Sequence, residues 1–349
     1  MNESSDTYKL TIFILSKEKN LVLKKLLGYW KGCGFRIVVL HETSTPMNMH
    51  GQDSSVLYLP TSESLLERIR KMSALVETDY VLISPDDEVF SIKSIIDGIS
   101  FLDDNSDFSA ISGQTVAVSK YATQNNYFSI YRNYLGFETS REDSLGRMRE
   151  SFEKTNGIMG IGAPYRIMRR DLFTNYMEAI RELSPLNCMY LYEVLAEVYQ
   201  HIHGKVKILD NVFWIRNWII PAATDVNRNF YYFQWWESPL YTNERKLLVN
   251  LLLRQYRGLS AKDVDEILHK AYNSRKKAEI LEYKRLMSQK KILKRLKRMF
   301  SRYTFIQRIN FLHKSNSIGD LEMQLDKNKI QFNKKELLNL TNFVINLDQ

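Results

Sequence analysis

The feature that most constrains the fold is an alternation of short apolar segments with amphipathic helical segments over the N-terminal part of the chain. Four apolar runs, rich in β-branched residues and typical of buried strands, cover residues 8–15, 35–40, 56–59 and 80–83. The segments between them that predict helices are residues 21–30 and 62–76. Strands that alternate with helices are typical of a mostly parallel sheet, so the sequence predicts an α/β fold with helices on both faces.

Three consecutive carboxylates, Asp86, Asp87 and Glu88, follow the fourth predicted strand. Pro85 cannot continue a strand ladder, so the acids are expected in a turn at the carboxyl end of that strand. Ligands bind at this edge of open α/β sheets, and carboxylate oxygens are the ligands that Mg²⁺ and Mn²⁺ prefer. We therefore expect that Asp86, Asp87 and Glu88 hold a metal that neutralises a diphosphate. The alternative is that the acids only cap a helix beginning near Ser91.

Two further candidate site regions lie downstream. Residues 186–202 predict a largely apolar, buried helix that carries Glu193 and Glu197 on one face. A glutamate on such a helix is a candidate catalytic group, and Glu193 is the preferred one; two solvent-facing acids are the alternative. Residues 204–216 predict a β-hairpin arm that ends at Arg216, whose guanidinium needs an anionic partner, either a phosphate or a nearby carboxylate. Residues 120–157 show no sustained periodicity of apolar residues, which predicts loops. These loops either form an acceptor site or are a plain surface insertion.

The positive charge of the chain is concentrated near its C-terminus. The net charge of the 349 residues is +9, yet residues 1–258 contain 29 Lys and Arg against 30 Asp and Glu. We therefore divide the chain into a catalytic domain, 1–258, and a basic helical region, 259–349. Within the latter, residues 274–299 contain no glycine or proline and predict a basic amphipathic helix suited to an anionic membrane surface. Packing of its apolar stripe on the catalytic domain or in a homo-oligomer is the alternative.

The remaining composition narrows the class of protein. Cys33 and Cys188 lie far apart without CxxC spacing, which predicts neither a zinc site nor a disulfide framework. No apolar run approaches the roughly 20 residues of a membrane span. The neutral N-terminal part and the lack of a recognition motif do not favour nucleic acid as a partner. We expect a cytoplasmic protein. The predicted basic helix further implies a peripheral location on the inner face of the cytoplasmic membrane.

In this order, these features resemble nucleotide-sugar glycosyltransferases of the GT-A fold, and more narrowly the bacterial family-two-like enzymes of surface-polysaccharide biosynthesis. The resemblance covers about residues 8–220, from the first strand and its polar turn to the Glu193 helix. It implies that Glu42, at the end of the second strand, contacts the nucleobase or ribose of the donor. It implies further that Asp86 and Glu88 bind Mn²⁺ or Mg²⁺ with the diphosphate, and that Glu193 is the catalytic base. Ser16, Asp87 and Arg216 complete the donor-binding candidates.

The resemblance implies a reaction at the anomeric carbon of a nucleotide-sugar donor. A carboxylate takes the proton of an acceptor hydroxyl, on a saccharide or a lipid-linked saccharide, and the sugar is transferred with inversion; retention stays open. Two other classes are kept as alternatives. A sugar nucleotidyltransferase is expected to carry a glycine-rich basic loop after the first strand, where this chain has Ser16, Lys17, Glu18, Lys19 and Asn20. The other alternative is a catalytically inactive, transferase-like membrane adaptor.

Overall fold

The framework of the described part of the chain is a ten-stranded mixed sheet with helices on both faces. The computed structural model describes residues 8–48, 54–120, 126–130, 138–154, 162–183, 190–217, 232–256, 258–270, 273, 276, 280, 314, 315 and 317–347. The strands are β1 (Leu10–Lys17), β2 (Arg36–Glu42), β3 (Val56–Thr61), β4 (Tyr80–Pro85), β5 (Val89–Phe90), β6 (Phe108–Lys120), β7 (Asn126–Ile130), β8 (Ile167–Arg169), β9 (Lys205–Asn217) and β10 (Lys314–Ser315). The helices are α1 (Asn20–Trp30), α2 (Leu65–Lys71), α3 (Ile92–Asp104), α4 (Ser144–Lys154), α5 (Arg170–Glu182), α6 (Tyr190–His203), α7 (Tyr232–Trp236), α8 (Pro239–Gln255), α9 (261–270), α10 (Ile318–Lys327) and α11 (Lys334–Ile345).

Parallel pairing is concentrated in the N-terminal half of the sheet. The strand order is β10-β7-β6-β8-β4-β1-β2-β3, and within it the β3, β2, β1 and β4 strands pair parallel with one another. Beyond β4 the β8, β6, β7 and β10 strands pair antiparallel, while β9 lies parallel to β6 and antiparallel to β5. The α/β fold class predicted from the alternating pattern is confirmed.

Each central strand feeds two hydrophobic cores because successive side chains point to opposite faces of the sheet. On β1, Phe13 packs into the core that contains α5 and α6, whereas Ile12 and Ile14 pack into the core that contains α1 and α3. Such strands have no solvent-facing side, which explains why their sequences are continuously apolar rather than alternating. The polar side chains of these strands are therefore found mainly where the strands end.

One strand prediction needs correction. Residues 204–216 form no hairpin: although Asp210 and Asn211 are typical turn residues, β9 is one strand, because β6 pairs with both halves of the segment. The β6 strand is continuous through Gly113, with register shifts against β9 on both sides of Gln114. A Cβ at Gly113 would lie 2.6 Å from the carbonyl oxygen of Asn211, so this close approach of the two strands requires glycine.

The segment 120–157 is more regular than its sequence indicates, because it contains β7 and α4. β7 adds to the antiparallel side of the sheet, and α4 packs on α6. Neither element has enough periodic apolar residues to be recognised alone; their neighbours in the sheet and core supply the missing stabilisation. The position of an acceptor site in this region stays a prediction.

Part of the C-terminal region belongs to the same core as the first strands. Leu321 and Leu325 of α10 and Leu340 and Val344 of α11 are buried in the core that holds α1 and α3. The Lys25 ammonium of α1 also donates to the carbonyl oxygen of Asn346, at 3.0 Å. The predicted basic helix, 274–299, lies almost entirely outside the described residues. In the part of the chain that the structure describes, no helix is long and apolar enough to cross a membrane.

Candidate functional site

The predicted donor-binding residues meet at the carboxyl edge of the parallel strands. In the register of the sheet, Leu15 of β1 lies opposite Pro85 of β4, and Lys17 lies opposite Glu42 of β2. The residues that follow these positions therefore emerge side by side. The N-terminus of α1 opens onto the same edge, where its unpaired N–H groups and helix dipole favour an anion.

Asp86 and Asp87 form the turn after β4, and both carboxylates are buried. The Ser16 hydroxyl donates a hydrogen bond of 2.8 Å to Asp86 Oδ2. The Lys19 ammonium, at the position just before α1, donates to Asp86 Oδ1 at 3.1 Å and to Asp87 Oδ2 at 2.9 Å. One lysine thus bridges the two aspartates, and both oxygens of Asp86 are engaged.

Glu88 faces Arg216 because the antiparallel pairing of β5 with β9 places them opposite each other. Val89 pairs with Ile215. Because the strands run antiparallel, Glu88, which precedes Val89, lies beside Arg216, which follows Ile215. Arg216 Nε lies 3.3 Å from Glu88 Oε1, and the guanidinium carbon lies 4.7 Å from the ring centroid of Trp214. The sequence left a phosphate and a carboxylate open as partners of Arg216; in this structure the carboxylate of Glu88 is one of its partners.

Burial dominates the electrostatics of this group of residues. It raises the pKa of Glu88 to about 7, with Arg216 opposing the rise and Asp87 adding to it. Burial and the neighbouring charge of Asp86 also raise the pKa of Asp87, against the effect of Lys19. For Lys19 itself, burial lowers the pKa, but the carboxylates of Asp87 and Asp86 raise it above its ordinary value. The lysine therefore remains an ammonium at neutral pH.

Glu42 lies at the end of β2 and is held by two basic residues. Its carboxylate pairs with the Lys17 ammonium and accepts from Arg68 Nη2 at 2.8 Å. The buried Arg68, on α2, also donates to the carbonyl oxygens of Ser16 and Leu40, at 2.6 and 2.8 Å. This arginine fixes the ends of β1 and β2 relative to each other, so it acts on the site by positioning.

Glu193 and Glu197 have different surroundings although they are four residues apart on α6. Glu193, in the first turn, is half-buried. Burial and the carboxylates of Glu88, Glu193 and Asp87 raise the pKa of the partly buried Tyr165, while Arg216 lowers it. The charges of Glu193 and of the carboxylate turn thus both act on this phenol.

Glu197 belongs to a buried polar network instead. Its carboxylate is 2.9 Å from Arg166 Nη1, 2.9 Å from the Ser151 hydroxyl and 2.9 Å from His201 Nε2. Burial alone would raise the pKa of Glu197, but the Arg166 guanidinium and the His201 hydrogen bond lower it to about 2. A carboxylate with so low a pKa is a weak base, and its contacts with Arg166, Ser151 and His201 tie it to the core, so Glu193 stays the preferred candidate base.

The predicted site for a divalent cation is the turn that contains Asp86, Asp87 and Glu88. A Mg²⁺ or Mn²⁺ ion needs several carboxylate, carbonyl or water oxygens around it. Among the described residues, no group of three or more Asp, Glu, His or Cys side chains is arranged to hold a metal. The space between Asp86 and Asp87 contains the Lys19 ammonium, and Glu88 turns to Arg216. Asp86 and Asp87 are therefore arranged around the ammonium of Lys19, and this arrangement does not fit a divalent metal.

Sequence reasoning missed three residues of this site: Lys19, Arg68 and Tyr165. The charge of Lys19 is visible in the turn after β1, but its direction depends on side-chain torsions that periodicity does not report. The burial of Arg68, which gives its guanidinium a need for several acceptors, is visible only in the structure. Tyr165 precedes a short strand, in a 3₁₀ turn that the sequence pattern does not indicate.

Together, the fold and the site define an α/β protein with a mixed sheet and a carboxylate and cation cluster at the carboxyl edge of its parallel strands. No protein-family model matches the chain, and no curated protein sequence matches it significantly. Among solved structures, it is similar to S. aureus TarS 1-349 in complex with UDP-GlcNAc, with a TM-score of 0.49, 13% identity and coverage of 76% of this chain and 72% of that one. For TarS 1-349 in complex with UDP, the TM-score is 0.44, with 12% identity and coverage of 74% and 69%. These likenesses concern the course of the chain alone.

Proposed function

We propose that this chain is a glycosyltransferase that uses a nucleotide-sugar donor. The observation that carries the proposal is the convergence of two cations, Lys19 and Arg216, with the Asp86, Asp87 and Glu88 carboxylates at the carboxyl edge of the sheet. Lysine and arginine at a helix N-terminus and a strand end are groups that bind phosphate oxygens. Our proposal is that the donor's diphosphate binds beside this cluster.

The other predicted residues take roles that follow from their positions. Glu42, at the end of β2, offers carboxylate oxygens to hydroxyl groups of the donor's ribose, and Arg68 keeps it in place. Ser16 contributes to the donor site by positioning Asp86 through its hydrogen bond. The half-buried Glu193 and the cluster both act electrostatically on Tyr165, and we assign Glu193 to the acceptor hydroxyl.

In the proposed reaction, an acceptor hydroxyl attacks the anomeric carbon of the donor. Its proton passes to the Glu193 carboxylate, the new C–O bond forms, and the bond from the anomeric carbon to the nucleoside diphosphate breaks. The positive groups at the cluster stabilise the negative charge that develops on the leaving diphosphate. Attack opposite the leaving group gives inversion. A saccharide or lipid-linked saccharide of surface-polysaccharide assembly is the proposed acceptor.

The test is a hydrolysis screen, because many transferases slowly cleave their own donor in the absence of an acceptor. UDP-, GDP-, ADP- and dTDP-sugars are incubated with the protein, and the released nucleoside diphosphate is measured. We expect at least one donor to be cleaved and Asp86→Asn to lower that rate by about two orders of magnitude, as for the loss of a key electrostatic group. The matched control is Asp104→Asn, an exposed aspartate at the end of α3.

The outcomes separate the three classes of protein. Cleavage of no donor, together with no nucleotide binding in calorimetry, would favour the inactive adaptor. Formation of a nucleotide sugar from a nucleoside triphosphate and a sugar phosphate would favour the nucleotidyltransferase. Wild-type cleavage by Asp86→Asn would remove Asp86 from the donor site while leaving the transferase class in place.

A further inference from the structure

Lys19 is the best-placed positive charge at the carboxyl edge of the sheet. Its ammonium lies between the two turn carboxylates, 3.1 Å from Asp86 Oδ1 and 2.9 Å from Asp87 Oδ2. The geometry is fixed from both sides, because Ser16 holds the other oxygen of Asp86 and the backbone of Lys19 leads directly into α1. The aspartates therefore hold a cation, and that cation is part of the chain.

A divalent ion at this position would compete with contacts that already exist. Both oxygens of Asp86 accept hydrogen bonds, from Lys19 and from Ser16. Glu88, the third predicted ligand, has its Oε1 turned to Arg216. A metal would have to displace Lys19 from both aspartates and bring its own water ligands into a buried turn, since Mg²⁺ and Mn²⁺ need about six oxygens.

We infer that the Lys19 ammonium takes the place of the divalent cation and contacts the diphosphate of the donor, so that this enzyme works without a metal. The inference rests on the proposed function, because it names the group that neutralises the donor. An ammonium has three N–H donors, and the aspartates take two of them in this structure. The Lys19 side chain is 29% exposed, so it is not closed off from solvent by the two aspartates.

Arg216 supplies the second positive charge for the same ligand. The guanidinium lies against the Trp214 ring and beside Glu88, so its plane is held in one orientation. Planar guanidinium groups bind two phosphate oxygens at once, whereas an ammonium acts as a point charge. Lys19 and Arg216 thus provide complementary contacts for a diphosphate, and Asp86, Asp87 and Glu88 keep both cations in position.

The first arm of the test measures the binding of Mn²⁺ by isothermal titration calorimetry, in the absence of nucleotide. We expect no Mn²⁺ binding by the wild-type chain, because Lys19 neutralises the two aspartates. In Lys19→Ala the aspartates lose their counter-ion, so we expect this variant to bind Mn²⁺ and the double variant with Asp86→Asn to lose that binding again. Lys9→Ala is the matched control, since Lys9 is an exposed lysine at the opposite end of β1 that pairs with Asp103.

The second arm measures the binding of UDP and GDP, in EDTA and in Mn²⁺. For the wild-type chain we expect equal affinity in both conditions. Lys19→Ala should bind about tenfold more weakly in EDTA, the scale of one lost charge-assisted hydrogen bond, and should recover when Mn²⁺ is added. Lys19→Arg keeps the charge and should bind without metal, while Lys9→Ala should match the wild type throughout.

Each outcome decides a specific statement. Mn²⁺ binding by the wild-type chain that disappears in Asp86→Asn overturns the inference, and this result needs no folded Lys19 variant. Nucleotide binding that depends on Mn²⁺ in the wild type also overturns it and leaves the proposed function standing. If neither UDP nor GDP binds in any condition, and the donor screen is also negative, the proposed function fails and the inference fails with it.

Discussion

Glu88→Gln tests the electrostatics of the site through the pH dependence of stability. The folded protein raises the pKa of this buried carboxyl from 4.5 to about 7, mainly through burial. Between these two values the folded chain retains a proton that the unfolded chain has released. The free energy of unfolding therefore falls as the pH rises through this window and is highest below it, when Glu88 is protonated in both states.

The size of the effect follows from the same pKa difference. A change from 4.5 to about 7 corresponds to about 3 kcal/mol in total, of which about 2.5 kcal/mol falls between about pH 5 and about pH 8. Glutamine does not ionise, so Glu88→Gln should lack this part of the pH dependence. Glu88→Gln also loses the ion pair with Arg216, which lowers its free energy of unfolding. Comparing how steeply the free energy of unfolding changes with pH in the two proteins separates this loss from the titration of Glu88.

Urea unfolding of both proteins at several pH values provides the measurement. We expect the wild type to lose about 2.5 kcal/mol relative to Glu88→Gln between about pH 5 and about pH 8. Glu178→Gln, an exposed glutamate on α5, is the control and should keep the wild-type slope. Parallel curves for the wild type and Glu88→Gln would refute the account of a buried carboxyl with a raised pKa.

Three further predictions concern other parts of the chain. Glu193→Gln should lower turnover by about two orders of magnitude or more with unchanged donor binding, the scale of a lost general base, and unchanged turnover would dismiss Glu193. Glu197→Gln should destabilise the fold by about 3 kcal/mol because it leaves the buried Arg166 guanidinium without its counter-ion; a melting temperature equal to that of the wild type would contradict this. Replacement of Lys290, Lys291 and Lys294 by Gln should weaken sedimentation with anionic vesicles at low salt, whereas binding equal to the wild type would dismiss the membrane-surface prediction. Substitution is preferred to truncation because α10 and α11, further along the chain, pack in the core.

The fold class and the position of the site could be predicted because both depend on local pattern. Continuous apolar runs mark strands that are buried on both faces, and a polar segment after each run marks the edge where those strands end. Parallel pairing then brings the end of β1, with Ser16, beside the turn at Asp86, as the register shows. No knowledge of side-chain torsions was needed for this step.

The partners of the charged residues could not be predicted because they depend on long-range register. Arg216 meets Glu88 only because β9 is one strand, fixed against β6 at Gly113, and not the hairpin that its sequence indicated. Glu193 and Glu197 look equivalent by helical spacing, yet Arg166, from a short turn before β8, forms its ion pair with Glu197. Contacts of this kind arise from the packing of elements far apart in the sequence.

The most direct test of the central claim is a crystal structure of the wild-type chain with the nucleoside diphosphate of the donor that the hydrolysis screen selects, grown in EDTA. The account predicts the diphosphate at the carboxyl edge of β1 and β4, with phosphate oxygens in hydrogen-bond contact with the Lys19 ammonium and beside Arg216. A nucleotide bound at another surface, or a diphosphate at this edge that contacts neither Lys19 nor Arg216, would contradict it.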